Sequence, residues 1–264
     1  MLLKIEHLTE YSYSEPVAYA LQRIKLVPQS GPTQHVKEWK VVAEGMSVQA
    51  EYADQFGNKT QLVSSAPFIE RIVIVATGEV ETKDTHGVVG SHEGLVPLWV
   101  YARETPLTRP GTLVGGLAKS ICNDGDLNRL HALMETIAVR VAYETGTTGV
   151  ATPAEDALRA EKGVCQDHAH IFIAAARMLG FPSRYVSGYL RMKDREEQTA
   201  AHAWAEAHVP ELGWVGFDPA NGICPDEHYV RVAIGLDYRD AAPISGIRSG
   251  FSTEKLAVSV HVQQ

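Results

Sequence analysis

Cysteine is scarce in this chain: three in 264 residues, Cys122, Cys165 and Cys224, with no two in CxxC spacing. So odd and sparse a set gives neither a disulfide framework nor a tetrahedral cysteine zinc site. Long apolar runs are missing as well, since no window reaches the roughly 18 uninterrupted apolar residues of a membrane span. The opening residues, Met1 to Pro16, lack a basic stretch followed by an apolar one, so no signal peptide is read there. Positive charge is in deficit, with 24 Lys and Arg against 32 Asp and Glu and a formal net charge of −8. Nucleic acid and anionic membrane are therefore not expected partners. Acidic clusters with calcium-loop spacing are absent, as are internal repeats and low-complexity tracts. What remains is a cytoplasmic globular protein that keeps a free thiol and needs no metal or other cofactor. A peptide or protein is its expected partner, and a homo-oligomer stays open.

Hydrophobic residues make up 45% and charged ones 21%, enough for one large domain or two modest ones. The first hundred residues read as β. Leu2–Leu8, Ala20–Val27, Lys37–Val42, Ser47–Tyr52, Thr60–Ser64 and Phe68–Ala76 are short, rich in β-branched or alternating apolar residues, and separated by Gly, Pro, Asp and Asn. Such spacing predicts a sandwich or curled sheet. After a join bracketed by Pro97, Pro106 and Pro110, helical periodicity begins. Asp126 to Val141 carries apolar residues at helical spacing, with Asp126 as its cap, and Pro153 starts a helix over 154–160. A third helix is expected from Cys165 to Leu179, burying Ala169, Phe172, Ala176 and Leu179 and stopped by Gly180 and Pro182. Strands follow at Arg184–Met192, Thr199–Val209, Trp214–Asp218, His228–Ile234 and Lys255–Val262, which makes an α+β layout.

Three residues carry chemistry together. Cys165 opens a helix, where the partial positive charge favours the anionic nucleophile and free N–H groups can hold an oxyanion. Gly163 removes bulk beside it. In Ala200 to His208 small and large residues alternate, so His202, Trp204, Glu206 and His208 share one face of a strand and the alanines the other. Asp218 ends the next short strand. His202 lies 37 residues after Cys165 and 16 before Asp218, which leaves room for antiparallel strands to return to one site. A thiolate attacks a carbonyl, an imidazole moves the proton, and a carboxylate orients the imidazole.

At these residues the chain resembles the bacterial transglutaminase-like superfamily. The nucleophile motif is Gly163-Val164-Cys165-Gln166-Asp167-His168-Ala169-His170. His202-Ala203-Trp204-Ala205-Glu206 and Gly213-Trp214-Val215-Gly216-Phe217-Asp218-Pro219 match the base and acid motifs, and Asp54-Gln55-Phe56-Gly57-Asn58 matches the preceding β-rich region. The resemblance implies an α+β fold: a papain-like transglutaminase core, helices packed on an antiparallel sheet, preceded by an all-β sandwich-like domain. Residues 1–105 would form the first domain and 106–264 the core. It implies Cys165, His202 and Asp218 as the catalytic triad. Gln166 and Trp204 are candidates for the oxyanion site or the substrate channel. Ala220 stands where threonine is expected and Leu236 where arginine is. The implied activity is acyl transfer on peptide or amide substrates through a thioester, with hydrolysis favoured over transamidation. Two other classes stay open: a metal site drawn from Cys165, His168, His170, His202 or Cys224, and a binding module that keeps the fold.

Overall fold

The computed structural model describes residues 1–192, 196–250 and 252–264. Its chain runs β1 (Leu2–Val17), β2 (Tyr19–Val27), β3 (Gln34–Glu44), β4 (Met46–Ala53), β5 (Lys59–Ser65), β6 (Ile69–Thr82) and β7 (Val88–Gly90). Then come α1 (Leu98–Tyr101), α2 (Thr112–Ser120), α3 (Asp126–Arg140), β8 (Ala142–Tyr143), α4 (Ala154–Ala160), β9 (Lys162–Gly163) and α5 (Cys165–Met178). The last elements are β10 (Ser183–Leu190), β11 (Glu197–Gln198), β12 (His202–Val209), β13 (Gly213–Phe217), β14 (Tyr229–Gly235), α6 (Tyr238–Ala241), β15 (Ile244–Ser249) and β16 (Glu254–Gln263).

Two sheets, ordered β11-β16-β1-β6-β3 and β15-β2-β5-β4, form the expected sandwich. Their shared core draws Tyr13 and Val17 from β1, Ile24 and Leu26 from β2, Val63 from β5 and Ile72 and Ile74 from β6. A third sheet, β14-β10-β12-β13-β7, is the floor of the helical part. Helices α2 to α5 cover one of its faces in a common apolar core. The other face meets the sandwich, where Tyr189, Val230 and Val232 pack on Leu3, Ile5, Val80, Val260 and Val262.

Hydrogen bonding crosses the expected division at residue 105 in both directions. β7 pairs with β13 in the core sheet, while β15 pairs with β2 and β16 with β1 from Lys4↔Gln263 to Tyr13↔Glu254. Period-two alternation marks a strand but does not name its partner, so the return of the C-terminus to the sandwich has no local signal. Two helix starts also differ from expectation. Gly125 and Pro153 take the N-cap positions, which leaves Asp126 as the first residue of α3 and puts Pro153 just outside α4. Among the described residues no helix is long and apolar enough to cross a membrane.

Candidate active site

Helix α5 is buried along nearly its whole length, against the sheet and between its neighbouring helices. Ala203, Ala205 and Ala207 of β12 share a core with Ala169 and Ala176 of α5. Small side chains on both sides let the helix lie close to the strand, which fixes where its first residue falls. That residue is Cys165, half-buried. Asp167 caps the helix by accepting from the Val164 N–H at 2.8 Å, and Thr148 Oγ1 donates to the same oxygen at 2.6 Å. Gly163 is needed for this cap, because a Cβ there would stand 2.7 Å from Asp167 Oδ2. Its smallness thus serves the carboxylate as well as the approach to the sulfur.

His202 opens β12 and Asp218 follows β13, and the pairing of these two strands brings them together. His202 Nε2 lies 2.6 Å from Asp218 Oδ2, with both side chains buried. This bond leaves Nδ1 for the sulfur, and Cys165 lies near enough to favour the charged imidazole. Burial pushes the His202 imidazolium down, but the charge and hydrogen bond of Asp218, aided by Cys165, outweigh it and lift it to about 10. Burial likewise raises the Asp218 carboxyl, and His202, Asn221 and Tyr229 together bring it below its ordinary value. With His202 raised above 6.5, the pairing is fully present below that pH and lost as pH climbs through about 10. Asp218→Asn is expected to return the His202 transition to about 6.5 or below. A histidine-labelled NMR titration measures it, and a transition still near the wild-type value would show that the carboxylate does not hold the imidazolium.

Sequence reasoning missed the groups that hold Asp218. Tyr229 Oη donates to Oδ2 at 2.8 Å and Asn221 Nδ2 at 2.7 Å, while the Ala220 and Asn221 N–H groups reach Oδ1 at 3.0 and 3.3 Å. The signal for Asn221 was the turn Asp-Pro-Ala-Asn, in which an aspartate accepts N–H groups two and three residues on. Tyr229 gave none, since a tyrosine at a strand start reads as core. Backbone donation from position 220 needs no threonine side chain, and the Leu236 carbonyl accepts from Arg177 Nη2 at 2.8 Å.

Gln166 is the second residue of α5 and is buried. Trp204 is 2% exposed and sits behind the imidazole, its ring stacked 6.2 Å from His202 and edge-on to Tyr229 at 5.4 Å. The other candidate ligands are dispersed. Both ring nitrogens of His168 lie 2.9 Å from backbone carbonyls, of Val164 and Val141. His170 accepts from the Tyr238 N–H, and burial pushes it down to about 3. Burial pushes the Cys224 thiol up to about 11. Among the described residues none of these joins a group of three ligand atoms able to hold one ion.

A sequence profile for the transglutaminase-like superfamily matches residues 116–219, the span that holds Cys165, His202 and Asp218. A second, for the bacterial transglutaminase-like N-terminal region, matches residues 3–81. An uncharacterized protein of Mycobacterium leprae is 30% identical over 275 residues, 98% of each chain. The chain belongs to the transglutaminase-like superfamily. The superfamily fold is also that of a provisionally assigned cysteine protease from Cytophaga hutchinsonii, with a TM-score of 0.79 at 21% identity over 100% of this chain and 91% of that one. A Pseudomonas aeruginosa protein named protein-glutamine gamma-glutamyltransferase is 32% identical over 97 residues, 33% of this chain and 14% of its own length.

Proposed function

We propose that the chain is a cysteine-dependent acyl-transfer enzyme acting on peptide or amide substrates, with Cys165 as nucleophile, His202 as acid and base, and Asp218 as orienter. The observation that carries this reading is the buried His202–Asp218 pair at 2.6 Å, with Cys165 near enough to favour the charged imidazole. The sulfur attacks the amide carbon while His202 gives its proton to the leaving amine, so the C–N bond breaks and a thioester forms. Water then attacks the thioester as His202 takes a proton from it. The C–S bond breaks, releasing a carboxylic acid. Free N–H groups at the start of α5, with the Gln166 amide beside them, are the proposed oxyanion donors. Trp204 is proposed to back the imidazole.

Water is the proposed acceptor because Cys165 keeps part of its surface exposed, which leaves the thioester within reach of solvent. An amine acceptor is the second reading, favoured by the name of the Pseudomonas relative. Incubation with a panel of glutamine-containing peptides, with and without a primary amine, separates the two by product mass. Acid product that persists when amine is present is expected. Amine-linked product that replaces it would establish transamidation, and no product of either kind across the panel would count against peptide glutamine as substrate.

A further inference from the structure

Asp218 Oδ2 is crowded. It faces His202 Nε2 at 2.6 Å, Asn221 Nδ2 at 2.7 Å and Tyr229 Oη at 2.8 Å. A carboxylate oxygen offers two lone pairs, so three donors compete and Tyr229 takes a share that His202 would otherwise hold. The tyrosine is buried, with its ring against Trp204 and His202. The other titratable groups facing the pair are Cys165 from α5 and Asp226, which acts on Tyr229 from the β13–β14 connection.

The placement of that hydroxyl depends on β14, the edge strand of the core sheet. An edge strand leaves outward N–H and C=O groups without a strand partner. Here two side-chain amides from the sandwich take them. Gln34 donates to the Arg231 carbonyl and accepts from its N–H, each at 2.8 Å. Asn58 does the same at Ile234, at 2.7 and 2.8 Å. The spacing from 231 to 234 fits a bulge in β14, where Ser187 pairs with Ala233 but Gly188 with Arg231. Just ahead of the strand, Thr82 Oγ1 donates to the Glu227 carbonyl at 2.5 Å. Asn58 is itself held by Asp54, against which the buried Lys25 is paired. The sandwich therefore grips β14 on both sides of Tyr229.

We propose that Tyr229 is a positioning residue that tempers the hold of Asp218 on His202, and that the N-terminal sandwich acts on the site by fixing Tyr229 through Gln34 and Asn58. This rests on the acyl-transfer reading above. Tyr229→Phe keeps the ring and removes only the hydroxyl, so the fold is expected to persist. The His202 transition, followed by NMR in the full chain, is expected to rise by about half a pH unit to one, the worth of a single hydrogen bond. Gln34→Met, and Gln34→Ser as a second cut at the same clamp, are expected to move it in the same direction. The double variant Gln34→Met with Tyr229→Phe is expected to move it no further than Tyr229→Phe alone. An unmoved or lowered transition in folded Tyr229→Phe overturns the proposal while leaving the triad standing. Folded Gln34 variants at the wild-type value, or additive with Tyr229→Phe, overturn the role of the sandwich. A wild-type His202 that titrates at or below its ordinary 6.5 overturns the triad reading and this one together.

Discussion

Cys165→Ala is expected to remove turnover, by at least about a thousandfold, while the fold stays intact. The size of the loss follows from the proposed chemistry, in which the thioester forms on this sulfur and the members of a triad fail together when one is removed. Cys224 does not replace it, because burial holds its thiol at about 11, in the protonated form at neutral pH. Cys122 is exposed and lies in the turn between α2 and α3, outside both motif strands. Stability is spared because alanine is small and an excellent helix former at the first position of α5. Paired assays of product formation and thermal unfolding measure both halves. Activity near the wild-type level would remove this sulfur from the reaction, and His202→Ala is expected to be nearly as severe.

The largest effect on stability is expected from Glu206→Ala, two strand positions beyond Trp204. Glu206 is 1% exposed and accepts from Arg184 Nε at 2.6 Å, with Arg231 Nε 3.2 Å from its other oxygen. Arg184 in turn lies 3.8 Å over the ring of Trp214. Burial pushes the Arg184 guanidinium down to about 10 even with Glu206 beside it. Removing the carboxylate strands a buried cation, and breaking such a pair costs about 3–5 kcal/mol. Urea unfolding measures the change. Replacing both partners, as Arg184→Met with Glu206→Leu, is expected to cost much less, because the buried Arg184 charge goes with its carboxylate and Arg231, left behind, is partly exposed to water. Equal losses from the single and double variants would show that packing, not charge, sets the cost.

Much of the site was legible in the sequence because its determinants are local. The alternation from Ala200 to His208 fixed which face of β12 meets α5, and Ala203, Ala205 and Ala207 lie in the core shared with that helix. The residues before Cys165 announced a helix start, and those after Met178 its end, where Gly180 adopts a φ of 94°. Long-range pairing was not legible. The alternation predicts a strand over Leu2–Leu8, but β1 runs to Val17, since its second half is polar and owes its order to β6 and β16 on either side. For α2 no helix is read from the sequence, and its Gly115 and Gly116 lower helix propensity. Burial of Val114, Leu117 and Ala118 outweighs that cost. The clamp on β14 was hidden for a similar reason: Gln34 and Asn58 look like loop residues until the strand they complete is in place.

Alkylation of the three cysteines by iodoacetamide, resolved site by site in wild type and in His202→Ala, tests the convergence of sulfur and imidazole most directly. In wild type, half-buried Cys165 is expected to react at least about tenfold faster than exposed Cys122, because a neighbouring imidazolium activates it. In His202→Ala that advantage is expected to vanish. A wild-type Cys165 no faster than Cys122, or one indifferent to the loss of His202, would contradict a working pair.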